Sequence, residues 1–341
     1  MLILKSSFSS LPRLIDQMKA IFRDVIATKF TMEGPWKRNL FFRLERKIEG
    51  FPHCRKLLNG ALYENTGHII HDSIRKGGIH GDNVISIAPI IIDPKTKVNE
   101  VIEGNSAYLG NLYSHYGHFI TEGLSRFHEF RELNKFDHIL FSPYVFDYPN
   151  TQIRSFHKFF FDELGIDQSK IRILYDTVEI EQVTVFKQLW TLNDSVDLSL
   201  RDLYGYLRSI DPNVIYTGRR YFCSRKKPDR VANQHQVTEL FKSNDFELIF
   251  PEDLSMEEQM GIYKGSNLIV SSSGSTLHNI LFGRNNTRFV EIGDQRSSKS
   301  PHIMQLLGNS LAVANYQFIP FVSHDTKNWD LGTLQKAIDS L

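Results

Sequence analysis

Leu268-Ile269-Val270-Ser271-Ser272-Ser273-Gly274-Ser275-Thr276-Leu277-His278-Asn279-Ile280-Leu281-Phe282 is the stretch whose reading decides the fold. An apolar run over 268–271 predicts a buried strand, and 275–282 predicts a helix that starts just past a glycine turn. The same alternation extends in both directions. Upstream lie a strand over 221–224, a helix over 234–242, a strand over 246–250 and a helix over 255–264. Downstream follow a strand over 289–292, a helix over 301–308 and a closing segment over 312–315. Strands that alternate with helices predict right-handed βαβ units, hence a parallel sheet with helices on both faces.

In such a sheet, ligands bind beyond the C-terminal ends of the strands. Two of these junctions carry unusual polar chemistry: Ser224-Arg225-Lys226-Lys227, and Ser273-Gly274-Ser275-Thr276. Backbone N–H groups at a helix start and a guanidinium are what phosphate oxygens require. Arg225 directly follows its strand and is the candidate for a diphosphate, whereas Lys226, Lys227 and Arg230 read as a solvated loop edge. The 273–276 turn matches neither a Walker loop nor G-x-G-x-x-G, and Ser273 or Ser275 could equally serve as a helix N-cap. Glu291 ends an apolar strand and must be satisfied there, by a ribose hydroxyl or by a nearby cation or amide.

The first half alternates less cleanly. Helices are expected over 11–27, 37–48, 116–134 and 151–164, with Gly165 closing the last of these. Strands are expected over 84–92, 138–142, 171–174 and 183–186, and Gly77-Gly78 marks a turn. A helix starting near Gly117 would put His118 and Glu122 on one face at i and i+4. A carboxylate beside an imidazole can deprotonate a hydroxyl, although an ordinary Glu–His helix pair has the same spacing. Ile210-Asp211-Pro212-Asn213 punctuates the chain, so residues 1–212 and 213–320 are expected as two domains, followed by a tail helix over 321–341 that packs back on the first.

Composition narrows the classes. At 341 residues, 41% hydrophobic and 23% charged, the chain reads as globular and large enough for two cores. A net charge of +1 gives no global reason to bind nucleic acid, so any anion site is local. Cys54 and Cys223, the only cysteines, are far apart, which argues against a disulfide framework or zinc site and fits a reducing, cytoplasmic setting. No apolar run is long enough to span a bilayer. The segment 36–47 mixes bulky apolar and basic residues. It reads either as an interfacial helix in peripheral contact with membrane or as a helix packed on its own domain.

Several ordered blocks resemble glycosyltransferase family 61. Tyr116-Gly117-His118-Phe119-Ile120-Thr121-Glu122 is similar to its N-Y-x-H-W-x-x-[DE] block, and Ser224-Arg225 through Arg230 to Asn233 to its S-R-x-x-x-x-R-x-x-N-E run. Pro251-Glu252-Asp253-Leu254-Ser255-Met256-Glu257-Glu258-Gln259 is similar to P-E-x-[LM]-S-[FL]-x-[ED]-Q. Ser271 to Phe282 resembles G-x-H-G-A-G-L-T-N-x-L-F, and Phe289-Val290-Glu291-Ile292 resembles V-[IV]-E-[IL]. The resemblance covers roughly 105–295.

It implies a GT-B architecture of two Rossmann-like domains whose parallel sheets face across a cleft, with 1–212 binding the acceptor and 213–320 the donor. It also implies an inverting transfer from a nucleotide-sugar, a UDP-sugar being favoured, to a glycan or lipid-linked glycan acceptor in bacterial capsule or lipopolysaccharide synthesis. By position, Glu122 would be the base, His118 its support and Arg225 the diphosphate clamp. Ser273, Gly274, Ser275, Thr276, His278, Asn279 and Glu291 would surround the donor. No Asp-x-Asp occurs in the chain, so no metal or other cofactor is expected, and leaving-group charge would fall to Arg225 and the 273–276 amides. The chain departs from the family pattern where Ser273 replaces its His, with His278 five residues on, and where Gln234 replaces Glu. Alternative readings are a non-sugar transferase, such as a pyruvyl transferase of cell-wall polymers, or a non-catalytic glycan- or nucleotide-binding subunit.

Overall fold

The computed structural model describes residues 100–144, 150–175, 178–186, 188–191, 195–213, 216–226, 231–323, 325 and 327–341, and the backbone of 55–64, 68–70, 79–80 and 83–84. The helices expected over 11–27 and 37–48, the basic aromatic segment 36–47, the turn at Gly77-Gly78, most of the 84–92 strand, Cys54, Lys227 and Arg230 lie outside these residues.

The second half forms a five-stranded sheet. Its strands are β11 (Arg220–Cys223), β12 (Glu247–Ile249), β13 (Leu268–Ser272), β14 (Arg288–Ile292) and β15 (Asn315–Ile319), in the order β12-β11-β13-β14-β15. Every neighbouring pair is parallel. The chain reverses its direction of travel across the sheet between β11 and β13, and the crevice beyond these strand ends is where such sheets take ligands. β13 is buried along its whole length, which is why it reads as an apolar run rather than an alternating one. One face packs through Phe222, Val270 and Val290, the other through Tyr221, Ile269 and Phe289.

The first half builds an eight-stranded mixed sheet from β1 (Arg55–Glu64), β2 (His68–Ile70), β3 (Ile79–His80), β4 (Asn83–Val84), β5 (Glu100–Leu112), β6 (His138–Pro143), β7 (Ile171–Ile173) and β8 (Val178–Phe186). Its order is β4-β3-β2-β1-β8-β5-β6-β7. β8, β5, β6 and β7 are mutually parallel, and β1 to β4 extend the β8 edge as an antiparallel meander. A two-stranded ribbon, β9 (Trp190–Thr191) and β10 (Ser195–Val196), follows. The protein is therefore a mixed α/β fold, Rossmann-like in its parallel strands, in which the second sheet is parallel throughout while the first, expected to be parallel as well, is mixed.

Two helical expectations change. The expected helix over 116–134 is instead an α-turn Tyr116–His118, a π-turn Phe119–Gly123 and a 3-10 turn Leu124–Arg126, with a separate short helix Phe130–Leu133. Hydroxyls take its carbonyls: Thr121 Oγ1 donates to Gly117 O at 2.8 Å, Ser125 Oγ to Glu122 O at 2.7 Å, and Tyr204 OH to Ile120 O at 2.6 Å. Such bonds compete with the regular i to i−4 ladder. The tail helix, Leu331–Asp339, expected to pack back on the first half, packs among the described residues on the second. Trp329, Leu334 and Ile338 join the core beside helix Gln234–Ser243, and Asn244 and Gln335 exchange side-chain hydrogen bonds at 3.0 and 2.9 Å. Its apolar stripe covers the near face of the second sheet, where Phe222 and Phe241 are stacked.

The largest apolar cluster draws from both sides of residue 212. Phe160, Trp190 and Tyr204 share it with Met260, Phe282 and Leu307. This shared layer holds the C-terminal ends of β5 and β13 across from one another.

Candidate active site

From the first half, β5 ends at Leu112 and the chain turns through 113–118. His157 ties this turn down: its Nδ1 accepts Arg154 N–H at 2.9 Å, which leaves Nε2 to donate to Tyr113 O at 2.8 Å. Burial lowers this imidazole to about 4, so it is a neutral strut. Above it, His118 Nδ1 and Glu122 Oε2 are 2.5 Å apart. The side chain of His118 is 33% exposed and that of Glu122 only 7%, so the imidazole stands in front of the carboxylate. His118 also stacks on Tyr113 and meets His115 edge-on, at centroid distances of 5.8 and 5.1 Å.

From the second half comes the turn after β13. Gly274 takes φ 152° and ψ −172°, a conformation open essentially to glycine alone. The 3-10 helix Ser275–Phe282 begins there with no side-chain cap, so its first N–H groups remain for a ligand. Ser273 does not face that way. Its hydroxyl donates to Glu291 and is hydrogen-bonded to the Ser297 hydroxyl, while Tyr316 OH donates to Glu291 Oε2 at 2.5 Å. Burial raises the Glu291 carboxyl above the usual carboxylate range, and the two hydroxyls oppose that shift. Beyond β14, Arg296 Nη2 donates to the buried Asp294 carboxylate at 2.8 Å. His278, lowered to about 4 by burial and by the neighbouring imidazoles, has a buried Nδ1 with no hydrogen-bond partner among the described residues.

The two walls touch. Tyr116 OH donates to Asn279 Oδ1 at 2.5 Å, and a Cβ on Gly117 would lie 2.6 Å from Ser275 Oγ. A side chain at 117 would therefore have to displace Ser275 on the opposite wall. On one side of this contact lies a cavity of about 500 Å³ that opens onto His118, Ser273, Gly274, Ser275, His278 and Glu291. Thr121 and His115 from the first half, and Arg296, Ser297, His302 and Gln305 from the second, complete its polar lining. On the other side a cavity of about 600 Å³ meets Thr276, Ser275 and Asn279, with Tyr116, Phe156 and Phe159 as its aromatic wall.

The structure thus brings together eight of the ten residues singled out in the sequence, six around the first cavity and Thr276 and Asn279 around the second. Glu122 sits behind His118 and lines neither. Arg225 follows β11 half-buried and also lines neither of the two. Arg296 and His302 were not singled out, yet Arg296 occupies the loop after β14, a position equivalent to that of Arg225 after β11. The rule that drew attention to one loop applies equally to the other. Among the described residues, no group of three or more His, Cys, Asp or Glu side chains is arranged to hold a metal ion. No helix among them is long and apolar enough to cross a membrane.

The family model for Glycosyltransferase 61 matches residues 116–290, just over half of the 341-residue chain. The matched span begins at Tyr116 and ends one residue before Glu291, so it takes in the His118–Glu122 pair and the 273–276 turn. No curated protein matches the chain.

Proposed function

The chain belongs to the glycosyltransferase 61 family, and we propose that it is an inverting, metal-independent enzyme. It transfers a sugar from a nucleotide-sugar, a UDP-sugar being favoured, to a glycan or lipid-linked glycan acceptor. The observation that carries this reading is the meeting of His118, backed by Glu122, with the uncapped 273–276 turn around one cavity. A proton acceptor and an anion-binding turn face the same 500 Å³ space.

In this mechanism His118 Nε2 takes the proton of the acceptor hydroxyl, and Glu122 at Nδ1 fixes the tautomer and steadies the imidazolium that forms. The acceptor oxygen attacks the anomeric carbon from the face opposite the nucleotide. The bond to the phosphate oxygen breaks with its electron pair leaving on the diphosphate, and the sugar inverts. Glu122 is therefore a positioning residue here, and the base touching substrate is the imidazole. The diphosphate lies over the turn, and the nucleoside extends past Ser275 and Thr276 toward the aromatic wall of the second cavity, with Arg225 on the β11 side. A GT-B division into an acceptor-binding half (1–212) and a donor-binding half (213–320) accommodates this placement. The absence of an Asp-x-Asp motif supports metal independence, and the resemblance to bacterial capsule and lipopolysaccharide enzymes supports a role in surface polysaccharide synthesis at the cytoplasmic face of the membrane.

A thermal-shift panel of UDP-, GDP-, CMP- and dTDP-sugars in EDTA tests the reading. Stabilisation by one nucleotide class, with slow donor hydrolysis that disappears in His118→Ala, is the expected result. Silence across the panel would leave a binding subunit without a donor site and refute the transferase.

A further inference from the structure

Arg296 is built for a task beyond its own ion pair. Its guanidinium is gripped along one edge: Nη2 donates to Asp294 Oδ2 at 2.8 Å, and Nε lies 3.4 and 3.3 Å from the two carboxylate oxygens. Asp294 also accepts Arg296 N–H at 2.8 Å and Ser297 N–H at 3.3 Å, and its side chain is only 1% exposed. The Arg296 side chain is 57% exposed, and it lines the first cavity. A fork held along its Nε–Nη2 edge keeps the Nη1 edge for a ligand, already oriented.

The rest of this wall points the same way. Both of its carboxylates have internal donors, Glu291 in Ser273 and Tyr316, Asp294 in Arg296 and Ser297. Open toward the cavity are donors: the guanidinium edge, the imidazoles of His278 and His302, and the first N–H groups of the 275–282 helix. That combination recognises an anion with several oxygens. The serine at position 273 is committed to Glu291 and Ser297. Of the two imidazoles on this wall, His302 already accepts Met304 N–H at its Nδ1, whereas His278 has a buried Nδ1 with no hydrogen-bond partner among the described residues and is the one assigned to the anion.

We propose that Arg296 and His278 receive the β-phosphate of the departing nucleoside diphosphate, with Asp294 as the positioning residue. The proposal rests on the transferase reading and moves the leaving-group contact from Arg225 to the loop after β14. As the anomeric carbon–oxygen bond breaks, its electron pair collects on a β-phosphate oxygen. Arg296 and His278 donate to the diphosphate there, while the acceptor proton passes to His118.

Calorimetric titration of the full chain in EDTA tests it, using UDP, GDP, CDP and dTDP, each beside its monophosphate, and UDP-glucuronate beside UDP-glucose. Arg296→Gln should weaken the tightest diphosphate at least about tenfold and leave its monophosphate within about threefold, because a charge-assisted bond to the β-phosphate is lost. His278→Phe should show the same preference with a smaller loss. The double variant Asp294→Asn/Arg296→Gln, which leaves no uncompensated buried carboxylate, should repeat the selective loss and so separates it from damage to the fold. Equal loss for mono- and diphosphate, or none, overturns the proposal while the transferase reading stands. A loss confined to UDP-glucuronate places Arg296 on the sugar's carboxylate and overturns it as well. A wild-type protein that binds no nucleotide removes both.

Discussion

The two walls of the first cavity arise from the same architectural position and carry opposite chemistry. Each begins at the C-terminal end of a central parallel strand, β5 on one side and β13 on the other. The β5 wall presents aromatic rings and a coupled imidazole–carboxylate pair, groups that take and hold a proton. The β13 and β14 wall presents hydroxyls, uncapped amides and a guanidinium, groups that hold an anion. In the proposed reading the same strand-end geometry serves two tasks, because the loops, not the sheets, supply the side chains.

The sharpest way to break this comparison is at His118. If the β5 wall handles the proton and nothing else, His118→Ala should cut turnover by about 10³ and leave the donor dissociation constant unchanged. Glu122→Gln should cost less, about 10², since the imidazole remains in place without its partner. Single-turnover kinetics beside calorimetry separate the two quantities. Donor affinity that fell together with turnover would mean that His118 belongs to the anion site.

A middle-sized effect is expected where the walls touch. Gly117→Ala places a Cβ 2.6 Å from Ser275 Oγ and 3.0 Å from its Cβ. Overpacking of this kind costs about 1–3 kcal/mol, read by denaturant unfolding. Ser275→Gly in the same chain should recover most of it. Failure to recover would show that Gly117 is required by its own backbone rather than by the opposite wall.

The smallest effect concerns what holds the halves together. Lys264, on helix Met256–Gly265, donates to Leu207 O at 2.8 Å and to Ile210 O at the end of helix Leu200–Ser209. Burial lowers its ammonium to about 8 from the usual 10.5. Between those values the unfolded chain holds the proton more tightly than the folded one, so stability rises with pH across that window. Unfolding midpoints of the wild type and Lys264→Met, compared from pH 7 to 10.5, should show the wild type gaining on the variant. A constant difference would mean that the ammonium is as well solvated folded as unfolded.

Much of the second sheet was legible in the sequence. The expected strand over 221–224 is β11, that over 268–271 is β13, and that over 289–292 is β14, each within a residue or so at its ends. Parallel strands buried on both faces read as mostly apolar runs, and their helices as amphipathic, so the pattern is strong. The first sheet was harder to read. β1 to β4 are a meander of short antiparallel pieces on an edge, where neither a long apolar run nor a helix between strands marks the boundaries. In the segment after β5, for which the sequence predicts one helix over 116–134, Leu124, Phe127 and Phe130 fall at three-residue spacings and Phe119 precedes them. All four are buried, so the apolar periodicity was real. What periodicity did not show was that Thr121, Ser125 and Tyr204 take backbone carbonyls and divide the segment into π and 3-10 turns.

The sequence by itself determined that strands and helices alternate, that a small hydroxylic turn follows a buried strand, and that His118 and Glu122 come within reach of each other. These are local properties, set by chain geometry over a few residues. Only the tertiary structure decided that the imidazole stands between the carboxylate and the cavity, that Ser273 turns inward to Glu291, and that Arg296 lines the cavity while Arg225 does not. Periodicity fixes which side of its own element a residue occupies. Which loops meet across a cavity depends on how the shared apolar layer packs between the two sheets, and no local pattern records that.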